Sequence, residues 1–203
     1  MTTSLSIHAA NAISSLSASQ ISFIDNLPKA ELHAHLNGSI PLAVLQDLAK
    51  NYTADAQSTV TAIIAQLQNG VEFSELHEFF DLFPAIYALT STPEALARAA
   101  NAVLHEFLHP EHPQATYIEL RSTPRQTSSM TRTQYVQTVL DEVEKYSPDQ
   151  AALIVSLDRK MDKETAADCV DIAVRMRDAG RRVVGVDLCG DPTVESVLIC
   201  CCL

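Results

Sequence analysis

The sequence has few basic residues, and this scarcity limits the partners that the protein can bind. Its 203 residues include 14 Lys and Arg against 25 Asp and Glu, which gives a formal net charge of −11. A nucleic-acid surface needs a basic stripe, so this composition argues against nucleic acid as a partner. A small anionic ligand that is held by one or two local arginines remains compatible with the charge.

Targeting and disulfide signals are missing as well. Residues 1–22 contain no Lys or Arg, and no apolar run is as long as a membrane span. A signal peptide needs a basic n-region and a transit peptide needs arginines, so we expect a disordered tail over 1–22 and no membrane partner. The five cysteines form no CxxC pair and are odd in number, which disfavours a secreted disulfide framework and favours the reducing cytoplasm.

The rest of the chain alternates between strand and helix patterns, and its length allows one sizeable core. Short apolar runs that end in polar or turn-forming residues predict strands at 29–36, 115–121, 151–158 and 182–188. Apolar residues at helical spacing predict helices at 41–50, 59–68, 74–89 (split or kinked at Pro84), 93–109, 131–146 and 162–179. This order is typical of the α/β class with a parallel sheet, whose chemistry lies at the carboxyl ends of the strands.

Two histidines end the first predicted strand, in the run ELHAHLNG at residues 31–38. Strand side chains alternate between faces, so His33 and His35 are expected on the same side. Two imidazoles on one face can occupy adjacent positions around a metal. Packed histidines would give the same pattern, and the pair alone does not decide, because zinc needs more than two ligands. Asn37 either makes a turn with Gly38 or hydrogen-bonds a substrate.

Polar residues follow the other three predicted strands too. The run RSTPR at 121–125 offers two guanidinium groups and two hydroxyls, which suit a phosphate or another anion, although arginines often pair with surface carboxylates. Asp158 is either a substrate acceptor or a cap-like residue for the next helix. Gly190 either lets the backbone approach a ligand closely or simply turns the chain.

Three separated motifs resemble the adenosine deaminase family of metallo-dependent hydrolases. They are LPKAELHAHLNGS at 27–39, YIELRSTPR at 117–125 and GVDLCGDP at 185–192. Together they are similar to the adenosine deaminase-like branch that deaminates N(6)-methyl-AMP. Asn37 supports this branch, because adenosine deaminase proper more often has Asp there. The resemblance covers about residues 22–194.

The resemblance implies a zinc-dependent (β/α)8 barrel in which His33 and His35 are the first two ligands of one Zn²⁺. Zinc would lower the pKa of a bound water, the hydroxide would attack C6 of the purine, and methylamine or ammonia would leave. The implied reaction is hydrolytic deamination of N(6)-methyl-AMP to IMP, or of adenosine, in purine salvage by a cytoplasmic monomer. The residues implied to contact the purine nucleotide or nucleoside are His35, Asn37, Tyr87 (where relatives look to have a His), Ser122, Thr123, Pro124, Arg125, Asp158 and Gly190.

The remaining motifs of the family are missing from this sequence. A third zinc His, the acid/base Glu, a further His and an Asp pair should follow the fourth strand, but the chain after Val194 reads ESVLICCCL. A (β/α)8 barrel needs eight strands and ~250 residues, so we expect only its N-terminal half, about four β/α units plus extra helices, truncated at the C-terminus. The predicted organisation is a tail at 1–22, a partial deaminase domain at 23–194 and an unrelated tail at 195–203.

Three functional hypotheses remain open at this point. The first is the purine deaminase, for which we expect no appreciable turnover by this chain alone, because the acid/base Glu is missing. The second is a non-catalytic fragment that binds a nucleotide or pairs with another chain through a strand edge. The third, an unrelated open α/β protein, is hard to reconcile with three motifs in the same order.

Overall fold

A four-stranded parallel sheet organises the molecule. The computed structural model describes residues 7–50, 52, 62–65, 82–111 and 113–190. The strands are β1 (Ala30–His35), β2 (Tyr117–Ser122), β3 (Ala151–Asp158) and β4 (Val183–Cys189). They lie side by side in chain order and pair in parallel. Each strand begins and ends within two residues of its predicted bounds, which confirms the α/β class.

The six predicted helices are present where the structure describes them, and three further helices lie before or directly after β1. A further helical turn covers 62–65, within the predicted helix at 59–68. Pro84 lies in the first turn of its helix, where a missing N–H costs nothing, and the predicted residues 74–81 lie outside the described part of the chain. The helices are α1 (Ile7–Ser14), α2 (Ala18–Asn26), α3 (Leu36–Ser39), α4 (Leu42–Lys50), α5 (Phe83–Leu89), α6 (Pro93–Phe107), α7 (Arg132–Val143) and α8 (Lys163–Asp178).

Side-chain caps explain where the long helices begin. Thr92 accepts a hydrogen bond from the N–H of Ala95 at the start of α6, and Asp162 does the same for Thr165 at the start of α8. Such caps satisfy backbone donors that have no partner inside the helix. Gly180 ends α8 with a φ of +78°, which a glycine adopts without steric cost.

The hydrophobic core lies between the sheet and helices α6, α7 and α8. On β2, Ile118, Leu120 and Ser122 are buried towards the helices, and on β3 every residue from Ala151 to Ser156 is buried. In the sheet formed by the described residues β4 has a neighbour on one side only, and its Val184, Val186 and Leu188 are exposed. Helix residues that complete the core include Leu96, Val103, Leu104, Val136, Val139, Leu140, Cys169, Ile172 and Ala173.

The structure contradicts part of the expectation of a disordered tail over residues 1–22. Residues 7–14 and 18–22 are helical, in α1 and α2. The signal was present in the sequence, because Ser17 and Gln20 form a reciprocal capping box at the start of α2. None of the α2 side chains is buried. The predicted tail at 195–203 lies outside the described residues. Among the described helices, none is both long and apolar enough to cross a membrane.

Candidate active site

The predicted site residues lie at one edge of the sheet. Because the four strands are parallel, their carboxyl ends meet at the same edge, where open α/β sheets bind ligands. β1 ends at His35 and continues directly into α3, which contains Asn37. Residues 122–125 follow β2, and Asp158 and Gly190 stand at the ends of β3 and β4. The predicted turn at Asn37 and Gly38 is therefore a single helical turn.

A β-bulge shapes the strand that carries the two histidines. The pairing of β1 with β2 shifts between Glu31 and Ala34, so Leu32 and His33 together lie opposite one residue of β2. The His33 N–H donates to the Glu31 carboxylate at 2.7 Å. The Leu32 carbonyl accepts from Arg121 Nε at 3.1 Å and from Nη2 at 2.8 Å. Side chains thus satisfy the His33 N–H and the Leu32 carbonyl at the bulge.

The geometry and electrostatics of the two imidazoles suit a metal. The ring centroids of His33 and His35 lie 5.3 Å apart, as expected for side chains on one face. Burial lowers the pKa of His35 and outweighs the opposing effect of the Asp187 carboxylate, while His33 and Arg121 lower this pKa further. A lowered pKa keeps the imidazole neutral, which is the form that binds zinc. Within the described part of the chain, no group of three or more His, Cys, Asp or Glu is placed to hold a metal, so these residues offer two ligands.

Arg121 has a structural role, and its partner could not be identified from the sequence. It forms an ion pair with Asp187 of β4, and the two side chains are only 18% and 17% exposed. With its other nitrogens on the Leu32 carbonyl, Arg121 links the bulge of β1 to β4 across the sheet. Arg121 therefore fits the alternative in which the arginine pairs with a carboxylate, rather than the one in which it binds an anion.

Arg125 is held differently, with part of its guanidinium left unpaired. Its Cζ lies 4.1 Å from the ring centroid of Tyr87, and its Nη2 donates to Thr90 Oγ1 at 2.9 Å. This contact gives Tyr87 a place in the site as a support for the cation. Burial raises the pKa of Tyr87, so its hydroxyl stays protonated. Arg125 Nε is buried and has no hydrogen-bond partner among the described residues.

The ends of β3 and β4 approach each other closely at a glycine. Gly190 has a φ of +97°, and a Cβ at this position would lie 2.9 Å from Asp158 Oδ1. Asp158 Oδ1 accepts from the Lys160 N–H at 2.8 Å, so it also makes the turn after β3. Thr123 Oγ1 lies 3.5 Å from Cys189 Sγ, which brings the end of β2 to the end of β4. Pro124 beside it is buried.

Tyr135 belongs to the site, although the sequence analysis missed it. Its hydroxyl lies 2.9 Å from Ser122 Oγ and donates to Asn37 Oδ1 at 3.5 Å. Ser122 is therefore buried against α7. In the sequence Tyr135 is one of several apolar residues of a helix, and no local pattern marks it as a site residue. The helix places it behind the carboxyl edge of the sheet.

Four parallel strands with alternating helices, and a histidine pair at their carboxyl edge, match the arrangement of half a β/α barrel. The adenosine deaminase family model matches residues 28–198. The chain therefore belongs to the adenosine deaminase family, whose members are purine deaminases. The match extends beyond the predicted domain end at 194.

Relatives show how much of the family fold is present. N6-methyl-AMP deaminase-L of Xenopus laevis is 34% identical over 181 residues, which are 86% of this chain and 50% of the relative. The apo structure of the N6-methyl-AMP deaminase from Arabidopsis thaliana matches with a TM-score of 0.72 at 31% identity, over 88% of this chain and 53% of that chain. The Arabidopsis ADAL complexed with IMP matches with a TM-score of 0.69 at 31% identity, over 86% and 53%. The chain thus spans about half the length of these relatives, which confirms the predicted half barrel.

Proposed function

We propose that this chain supplies the nucleotide-binding half and the first two zinc ligands of a purine nucleotide deaminase. The proposed reaction converts N(6)-methyl-AMP to IMP and methylamine, with adenosine as the alternative substrate. The observation that carries the proposal is the meeting of the histidine pair, Arg125 and Asn37 at one edge of a parallel sheet. The names of the Xenopus and Arabidopsis relatives, and the IMP bound to one of them, support the substrate class. A cytoplasmic location and a monomeric full-length enzyme remain predictions.

Two buried donors favour a nucleotide over a nucleoside. Arg125 Nε and Asn37 Nδ2 are both buried without an acceptor among the described residues. A buried donor without a partner is unfavourable, so a ligand that presents several acceptor oxygens would stabilise this arrangement. A phosphate is such a ligand, and an arginine that is already supported on an aromatic ring is well placed to bind it. Thr123, Asp158 and Gly190 would line the remainder of the purine nucleotide site.

His33 and His35 would hold one Zn²⁺ through neutral imidazole nitrogens. When bound, zinc supplies a Lewis acid that makes water a nucleophile near neutral pH. Arg121 would serve this pair indirectly, because it fixes the bulge from which His33 projects. The sequence contains neither the remaining ligands nor the acid/base Glu of the family motifs. We therefore propose that the 203 residues alone bind nucleotide without turning it over.

A second candidate function rests on the outer strands. β1 and β4 each have one neighbour in the described sheet, and Leu32 of β1 and Val184, Val186 and Leu188 of β4 are exposed apolar residues. Parallel strands are normally covered on both faces and paired on both edges. A polypeptide that supplied further strands to these edges would complete a barrel. The candidate is a non-catalytic, edge-pairing fragment, and it is compatible with nucleotide binding.

The test compares two polypeptides in the same assays. One is this chain, and the other is a full-length version in which the second half of the Xenopus relative follows residue 190. We expect bound zinc and release of methylamine from N(6)-methyl-AMP only for the full-length version. The control is His33→Ala with His35→Ala in that version, which should lose the zinc. Methylamine release by this chain alone would refute the proposal that its active site is incomplete. A full-length version that holds zinc but is inactive would refute the proposed substrate.

A further inference from the structure

Tyr135 contacts three residues that surround the proposed nucleotide site. Its side chain is fully buried on α7. Its hydroxyl reaches Ser122 at the end of β2 and Asn37 in α3. The Arg125 guanidinium carbon lies 5.7 Å from the centroid of its ring. A single side chain thus connects the ends of two strands with the cation of the site.

The direction of the hydrogen bonds follows from the number of protons. A tyrosine hydroxyl has one proton to donate and accepts through its lone pairs. Because Tyr135 donates to Asn37 Oδ1, the Ser122 hydroxyl must donate to Tyr135. The oxygen of the Asn37 amide is thereby occupied, and its Nδ2 is left to face another partner. Nδ2 is buried and has no acceptor in the described part of the chain.

Arg125 contributes a second unpaired donor beside the same tyrosine. Its Nη2 is used by Thr90 and its face rests on Tyr87, but its Nε has no acceptor among the described residues. Both unpaired donors therefore belong to residues that contact Tyr135. Two N–H donors and a cation together match an oxygen anion. A neutral hydroxyl group matches them less well, because it offers fewer acceptor positions and no charge.

We propose that Tyr135 is a positioning residue that holds the Asn37 amide with its NH₂ group towards the ligand, and that it thereby favours a purine monophosphate over the corresponding nucleoside. The proposal rests on the proposed nucleotide site. Without the tyrosine hydroxyl the amide can rotate, and its oxygen then faces the phosphate and repels it. The 3.5 Å bond from Tyr135 to Asn37 is long, and we expect it to shorten when a phosphate accepts from Nδ2, because linked hydrogen bonds strengthen one another.

The test removes the hydroxyl and leaves the ring in place. Tyr135→Phe and the unchanged chain are titrated with IMP and with inosine by isothermal titration calorimetry. We expect IMP binding to weaken roughly three- to tenfold in Tyr135→Phe, the effect of one lost hydrogen bond, and inosine binding to change less than about twofold. The matched control is Tyr117→Phe, whose hydroxyl bonds Glu119 at the other end of β2 and should affect neither ligand.

A second measurement needs no ligand. A double-mutant cycle of Tyr135→Phe and Asn37→Ala, followed by urea unfolding, should show that the two effects are not additive, with a coupling of about threefold or more in the unfolding equilibrium. Additive effects would overturn the proposed orientation of Asn37. Equal weakening of IMP and inosine, or no weakening, would overturn the selective role of Tyr135. If the unchanged chain binds neither ligand, the proposed nucleotide site and the selectivity fall together, and the cycle alone decides the orientation.

Discussion

The centre of the sheet and its periphery contain similar residues in different surroundings. Leu120 of β2 is completely buried, whereas Leu188 of β4 is 38% exposed. β2 has a strand on each side and helices on one face, while β4 has one neighbouring strand in the described sheet. The two leucines are identical in type and in secondary structure. The comparison shows that the energetic contribution of a strand residue depends on the atoms that surround it.

The largest expected effect is the difference between these two leucines. Leu120→Ala should lower the free energy of unfolding by about 2–5 kcal/mol, because it removes buried methyl groups and leaves a cavity. Leu188→Ala should lower it by less than about 1 kcal/mol, because water already reaches the side chain. Urea unfolding followed by circular dichroism measures both values. Equal losses would show that another polypeptide covers the outer face of β4 in solution.

The centre was also the region that the sequence predicted best. The strand bounds of β3 agree with the prediction at both ends, because a run of residues that is buried on both faces is apolar throughout. The positions of His35, Asn37 and Asp158 at strand ends followed from the same pattern. The three motifs of the family resemblance identified the half barrel.

Contacts between distant segments could not be predicted. The bulge at Leu32 and His33 depends on the pairing register with β2, which no local pattern specifies. The sequence left Arg121 open between an anion ligand and an ion pair, because its partner Asp187 lies 66 residues away in the chain. Tyr135 looked like a core residue, and only the placement of α7 brings its hydroxyl to Asn37.

The second comparison concerns ion pairs. Arg121→Met should lower the free energy of unfolding by about 1–3 kcal/mol, because it leaves the mostly buried Asp187 carboxylate and the Leu32 carbonyl without partners. Arg98→Met breaks the pair with Asp47 on the exposed surfaces of α6 and α4, and it should be indistinguishable from the unchanged chain.

Salt dependence sharpens this comparison. Screening by salt weakens exposed ion pairs much more than buried ones. The loss of stability in Arg121→Met should therefore persist at about 1 M salt, where exposed surface charges are almost fully screened. The measurement is urea unfolding of both variants at low and high salt. A loss in Arg121→Met that disappears at high salt would show that the interior of the half barrel is open to solvent.

The smallest expected effect separates two capping boxes of almost identical geometry. Thr131 and Gln134 cap α7 with bonds of 2.9 and 3.2 Å, and Ser17 and Gln20 cap α2 with bonds of 2.8 and 3.3 Å. Thr131→Ala should cost about 0.5–2 kcal/mol of global stability, because α7 is packed into the core. Ser17→Ala should reduce the helical circular dichroism signal but leave the urea midpoint unchanged, because α2 buries no side chain and its fraying is not coupled to unfolding of the sheet.

A lower urea midpoint in Ser17→Ala would mean that the apolar residues of α2, among them Phe23 at 66% exposure, pack against something in solution.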